Sequence, residues 1–204
     1  AINGFGRIGR LTYRALRNRP DVEVVAINDL TDNPTLAHLL KYDTAHRKLN
    51  AHIVAGENYI EVDGYKIQAF AIKDPLALPW KDLGIDIVLE CTGIYLTAEA
   101  AGAHLKAGAK RVILSAPPKD DSIPTFVLGV NDHELTTEHT IISNASCTTN
   151  CFAPIVKILN ETWGLQFANM NTIHAYTQDQ RLQDAPHKDL RRARAAALNV
   201  IPTS

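Results

Sequence analysis

The stretch Ile2-Asn3-Gly4-Phe5-Gly6-Arg7-Ile8-Gly9-Arg10, "INGFGRIGR", decides how the rest of the chain is read. Gly4, Gly6 and Gly9 fit G-x-G-x-x-G, a pattern that is weak alone because glycine triplets recur by chance. Its setting strengthens it. A short apolar run ends at the loop, and a helical pattern, "RIGRLTYRALRNRP", begins in it and stops at Pro20. A loop between strand and helix aims its amides and the positive end of the helix dipole at one point, an arrangement that cradles a pyrophosphate. Asp29 stands 20 residues beyond Gly9, at the end of the β-branched run "VEVVAIN". A carboxylate there accepts hydrogen bonds from an adenosine ribose and repels a 2′-phosphate, which favours NAD over NADP. The competing reading is a tight turn that binds nothing, with Asp29 capping the next helix.

Outward from this loop, strands and helices alternate. "PTLAHLLKYD" reads as a short helix opened by Asn33-Pro34, and "IDIVLECTG", "KRVILSA", "TFVLGV" and "TIISNAS" read as strands, with a helix in "TAEAAGAHLKAGA". Residues 49 to 72 differ: polar and apolar residues alternate around Asp63-Gly64, a hairpin signal, so antiparallel strands interrupt the parallel pattern. The expected fold is α/β, a Rossmann-type, mostly parallel sheet over residues 1–146, followed by the beginning of a second, α+β catalytic domain over 147–204. That second part opens with a helix from Thr148, containing Pro154, and continues with a strand, "QFANMNTIHAYT".

Composition sets the class. Of 204 residues, 46% are hydrophobic and 21% charged, enough apolar material for a packed core. The 21 basic and 22 acidic residues leave a formal net charge of -1, which does not advertise a nucleic acid or an anionic membrane as the main partner. No run of 18 apolar residues occurs, and the opening residues do not read as a signal peptide. Three cysteines without a disulfide framework fit a reducing, cytoplasmic compartment, and no zinc-ligand spacing appears, so no metal site is expected. Both ends read as unfinished, the expectation for a fragment of a longer protein.

"SNASCTTNC", Ser143 to Cys151, places Cys147 where a β-branched run gives way to a helix. Unsatisfied N–H groups at a helix start favour an anion, so a thiolate is favoured there. The bland alternative, a small buried hydrophobe, is the reading given to Cys91 and Cys151. Among eight histidines only His174 lies on an apolar strand pattern near the candidate nucleophile. His38, His46, His52, His104, His133, His139 and His187 read as helix faces or loops turned to solvent.

With "INGFGRIGR", "NDL", "LAHLLKYD", "SNASCTTNC", "HAYTQDQ" and "PHKDLRRARAAA" present in order, the chain resembles phosphorylating glyceraldehyde-3-phosphate dehydrogenase. The resemblance implies that Cys147 attacks the aldehyde of glyceraldehyde 3-phosphate and that His174 is the general base while hydride passes to NAD. Inorganic phosphate then cleaves the thioester to give 1,3-bisphosphoglycerate. It further implies phosphate ligands at Ser146, Thr148, Thr177 and Arg192, and dinucleotide contacts from Asn3, Gly4, Phe5, Gly6, Arg7, Ile8, Asp29, Thr92, Gly93 and Ser115. Gln178 stands where many relatives have asparagine. The segment from about Asp179 to Ala197 resembles a loop that lies against a neighbouring subunit's cofactor in a homotetramer. The family has well over a hundred further residues, so the expectation for this chain taken literally is an inactive or poorly folded fragment of an active glycolytic enzyme. Erythrose-4-phosphate dehydrogenase is the nearest enzymatic alternative. A non-catalytic NAD-binding protein with Cys147 as a redox sensor is the alternative of another class, and nucleic-acid binding finds no basic stripe beyond Arg191 to Arg194.

Overall fold

The fold grows from a ladder on either side of the first strand. In the computed structural model, which describes residues 1–203, β1 (Ile2–Asn3) is paired in parallel with β2 (Ala26–Asn28) on one side and β6 (Ile87–Glu90) on the other. β7 (Arg111–Leu114) and β8 (Ile141–Ser143) extend the sheet beyond β6, again in parallel. On the far side β5 (Tyr65–Phe70) lies parallel to β2, and β4 (Tyr59–Val62) and β3 (Ile53–Ala55) close that edge antiparallel. The order is β3-β4-β5-β2-β1-β6-β7-β8. The antiparallel strands therefore form one edge of the sheet, joined by the expected hairpin, with Asp63 and Gly64 at φ 51° and 87°. Two consecutive positive φ values are what a two-residue hairpin turn matching strand twist requires.

Helices supply the crossovers. α1 (Arg7–Leu16) follows the glycine loop, and α2 (Asn33–Lys41) begins at Asp32, whose carboxylate accepts the Thr35 amide at 2.9 Å. α3 (Ala98–Lys106) is capped by the Thr97 hydroxyl, and α4 (Cys147–Trp163) by Ser146. Each cap satisfies one orphan amide of the first turn and so marks where the helix begins. Apolar side chains fill both faces of the sheet. Ile2, Phe5, Tyr13, Ile27, Leu40 and Ile60 pack in one cluster, Trp80, Ile85 and Val88 in a second, and Ala101, Val112 and Leu114 in a third.

Contacts divide the chain into two compact units, Ala1–Gly164 and a second from Leu165 onward. All the helices and strands named above lie in the first. The second, as far as Thr203, is built from turns and irregular backbone with its own local bonds: the Ala196 amide donates to the Arg181 carbonyl at 2.8 Å and the Ala185 amide to that of Ala193 at 2.9 Å.

Several sequence expectations are corrected. "QFANMNTIHAYT" forms no strand: a strand exists only where a neighbour takes its ladder bonds, and none of the described residues pairs with this stretch. "TFVLGV" is not a strand either. Its backbone wraps around Asn131, whose side chain accepts the Val127 amide at 2.8 Å and donates to the Thr125 carbonyl at 3.0 Å, leaving one isolated bridge from Thr125 to Ser143. In "VEVVAIN" only Ala26–Asn28 joins the ladder. Cys151 is exposed, and His104 is fully buried, because α3 turns it inward onto a polar network.

Candidate active site

Three glycines shape the first loop for three different reasons. Gly4 has φ 87°, and a Cβ there would meet the Thr92 amide nitrogen at 2.7 Å, so the loop rests directly on the strand end after β6. A Cβ on Gly9 would meet the Gly4 carbonyl oxygen at 2.2 Å, so glycine is what lets α1 pack onto β1. At Gly6 a Cβ would meet nothing within 4 Å: the space is open, and Gly6 caps α1 without a side-chain bond to its first amides. An anion approaching Gly6 finds unsatisfied amides and the dipole of α1.

Asp29 closes the loop from the next strand. Its Oδ2 accepts the Phe5 amide at 2.7 Å and its Oδ1 accepts the Thr31 amide at 2.9 Å. The Arg7 guanidinium is held at 3.0 Å by Asp43, whose carboxylate also accepts the Ala45 and His46 amides. Those amides, first that of His46, together with Arg7, hold the Asp43 carboxyl at about 2, below the usual carboxylate range. Ile8 is half-exposed beside Arg7. Asn3 and Phe5 are buried, so they shape the floor of the loop, while Gly6, Arg7 and Gly93 face solvent. Ser115 lines a cavity of about 360 Å³ over β6, β7 and β8 with Leu89, Cys91, Ile113 and Phe126, an apolar space that includes none of Gly4, Gly6 or Arg7. Burial in that apolar setting pushes the Cys91 thiol up to about 11.

The cysteine is placed by a turn that sequence reasoning missed. Between β8 and α4, Ala145 adopts φ 59°, a left-handed conformation uncommon for a residue with a Cβ. It is held there from below: the buried Ser143 hydroxyl accepts the Ala145 amide at 3.0 Å and donates to the Ala116 carbonyl at 2.9 Å. The reversal delivers Ser146 as N-cap and Cys147 as the first helical residue, exposed at the positive end of a 17-residue helix. Ser146 Oγ accepts the Thr149 amide at 3.0 Å, and Asn150 Nδ2 donates to the Asn144 and Ser146 carbonyls at 2.7 and 3.0 Å, which ties the turn to the helix. Only a positive φ at a non-glycine residue signals this elbow, and a sequence does not display φ. Thr148 follows Cys147 and is half-buried.

His174, Thr177 and Arg192 lie in the second unit. His174 Nδ1 donates to the Ala175 carbonyl at 2.6 Å, which places a ring proton on Nδ1. The Thr177 amide donates to Gln180 Oε1 at 3.0 Å. Arg192 is committed to acids of its own unit: it pairs with Asp179, lies 3.6 Å from Asp189, and donates to the Thr203 hydroxyl at 2.6 Å. Among the described residues no group of three or more His, Cys, Asp and Glu is placed to hold a metal ion, and no helix is long and apolar enough to cross a membrane.

Residues 1–98 match the model of the glyceraldehyde 3-phosphate dehydrogenase NAD binding domain, and residues 146–204 match the model of the C-terminal domain of the same family. The chain belongs to the glyceraldehyde-3-phosphate dehydrogenase family. It is 59% identical to the glyceraldehyde-3-phosphate dehydrogenase of Thermotoga maritima, over all of this chain and 62% of that protein. It is 56% identical to that of Mycoplasma pneumoniae and 56% identical to glyceraldehyde-3-phosphate dehydrogenase 1 of Bacillus cereus, again over its whole length and over 60% and 61% of theirs. The chain thus spans about 60% of the length of the curated relatives it matches. Within the family the glycine loop falls in the NAD-binding part, and Ser146 opens the part matched by the C-terminal model.

Proposed function

We propose that the protein of which this chain is part oxidises glyceraldehyde 3-phosphate with NAD and inorganic phosphate, through a thioester on Cys147, to give 1,3-bisphosphoglycerate. The observation that carries this reading is Cys147 at the first position of α4, exposed at a helix start, in a chain whose opening residues match an NAD-binding domain of this family. NAD supplies the hydride acceptor. A thiolate at a helix N-terminus is stabilised by the dipole and attacks an aldehyde without first needing a base.

The hemithioacetal hydroxyl that results must lose its proton as hydride leaves. His174 is the imidazole assigned to that step: Nδ1 donates to the Ala175 carbonyl, so Nε2 is the ring nitrogen that would take the proton. Ser146, Thr148, Thr177 and Arg192 are the groups we assign to the phosphates of substrate and co-substrate. Arg192 then has to share its guanidinium between Asp179 and a dianion. Gly6, Arg7, Ile8, Thr92, Gly93 and Ser115 are assigned to the dinucleotide, over a floor made by Asn3, Gly4, Phe5 and Asp29. We place the catalytic domain from residue 147, the dinucleotide domain before it, the working form as a homotetramer, and the enzyme in the cytoplasm.

The test is NADH formation from glyceraldehyde 3-phosphate, followed by near-ultraviolet absorbance with and without inorganic phosphate, for the protein and its Cys147→Ser variant. Phosphate-dependent turnover that disappears in the variant is the expected result. Turnover that survives the substitution overturns the assignment of Cys147, and a preference for erythrose 4-phosphate in the same assay would move the substrate.

A further inference from the structure

Beneath the glycine loop lies a polar network that the proposed chemistry does not use. Glu90, at the end of β6, is fully buried, and so is His104 on α3. Trp80 Nε1 donates to His104 Nδ1 at 3.0 Å, so Nδ1 is an acceptor and the ring proton sits on Nε2. That Nε2–H donates to Glu90 Oε2 at 2.9 Å. The pair is therefore a neutral imidazole on a carboxylate rather than a salt bridge.

Glu90 takes three further donors. Asn3 Nδ2 donates to Oε2 at 2.6 Å, the Thr92 amide donates to Oε1 at 2.8 Å, and the Thr92 hydroxyl donates to the same Oε1. Four donors match the acceptor capacity of a carboxylate. The result is a buried carboxyl group held by N–H and O–H groups of the described residues.

Each donor is then fixed in what it can offer elsewhere. The Asn3 carbonyl oxygen accepts Asn28 Nδ2 at 2.8 Å, and Asn28 bridges to both backbone groups of Ile72 at 2.9 Å, so Asn3 is fully engaged under the glycine loop. The Thr92 oxygen, its proton given to Glu90, accepts the Ile94 amide at 3.1 Å. Because Gly4 packs on the Cys91–Thr92 backbone, the placement of Thr92 also sets the placement of the loop.

We infer that Glu90, oriented through His104 and Trp80, is a positioning residue for the dinucleotide site: it pre-sets Asn3 beneath the glycine loop and Thr92 beside it. Thr92 is thereby left as an acceptor, able to receive a hydrogen bond from a ribose hydroxyl or amide N–H of the dinucleotide. This rests on the dinucleotide-site reading above.

Calorimetric titration with NAD tests it on the purified protein and on Glu90→Gln, Thr92→Val, the double variant and Trp80→Phe, with circular dichroism and melting as a check on folding. Glu90→Gln turns an N–H group toward two donors and is expected to weaken NAD binding about tenfold with the fold retained. In the Thr92→Val background the same change is expected to cost less than about threefold, since the hydroxyl through which it acts is gone. A Glu90→Gln protein that melts lower yet binds NAD like the wild type would reduce Glu90 to a packing role and overturn the inference. Should Glu90→Gln fail to fold, Trp80→Phe decides, because it removes the donor that locks His104 and keeps an aromatic ring. A loss of about threefold supports the relay and unchanged affinity overturns it. Wild-type protein that binds no NAD would overturn the dinucleotide site itself, an outcome distinct from any difference between variants.

Discussion

The unit before Leu165 and the unit after it contain the same kinds of residue and end in different states. In the first, Ile2, Ile27, Val88 and Trp80 are buried, and backbone bonds run between strands far apart in sequence, as from the Leu89 amide to the Ala1 carbonyl at 2.8 Å. In the second, Ile173 is 99% exposed and Phe167 79%, and the bonds join near neighbours such as Arg181 and Arg192. The apolar alternation of "NTIHAYT" is as good a strand pattern as "IDIVLE". What separates them is a neighbouring strand: "IDIVLE" has β1 and β7 on its two sides, and no strand among the described residues is laddered to "NTIHAYT". An apolar pattern states which residues would be buried if a neighbour came; it does not supply the neighbour.

The sharpest way to break this comparison is to cut one apolar side chain from each unit. Trp80→Ala removes a fully buried ring that also hydrogen-bonds His104, and is expected to cost about 3–5 kcal/mol in chemical denaturation. Ile173→Ala is expected to stay within about 0.5 kcal/mol. An equal loss from both would mean that Ile173 is covered in solution, and the contrast between the units would fall.

A smaller effect is expected within the glycine loop. Gly9→Ala forces a Cβ against the Gly4 carbonyl, so α1 must move off β1, at a cost of about 1–3 kcal/mol and with loss of NAD binding. Gly6→Ala meets open space, so its stability is expected to change by no more than about 0.5 kcal/mol while NAD binding weakens, because the added methyl stands where the pyrophosphate would come. Binding titrations beside melting curves separate the two. Gly6→Ala binding NAD as the wild type does would move the anion away from the start of α1.

The smallest effect concerns Asp43, which ties Arg7 to the turn after α2. Its folded pKa, about 2, lies below the ordinary value of 3.8, so its contribution to stability is present above the ordinary value and fades as pH falls toward the folded one. The stability difference between the wild type and Asp43→Asn is therefore expected to shrink as pH is lowered from near 4 to near 2. A difference that stays constant through that window would mean that the amides of Ala45 and His46 do not favour the charged carboxylate.

Much of the site is legible in the amino-acid sequence, for reasons that are local. Glycines at 4, 6 and 9 announce the loop between strand and helix, the change from a β-branched run to a helical pattern places Cys147 at a helix start, and Asp63-Gly64 announces a hairpin. Residue patterns mislead where a distant side chain decides. Asn131 makes "TFVLGV" a loop by taking its backbone bonds, and His104 reads as surface because a helix pattern does not show that Trp80 and Glu90 wait on its inner side.

The sequence by itself determined the alternation of strands and helices up to β7, the mostly parallel sheet, the glycine loop with its acid, and a cysteine at a helix start, since periodicity, turn chemistry and capping act over a few residues. Only the tertiary structure decided which patterned stretches became strands, that Ala145 would carry a positive φ to present Cys147, and that Glu90 would lie buried among four donors. Those outcomes depend on hydrogen-bond partners many residues away, and a buried polar group or a strand edge is stable only when the fold brings them.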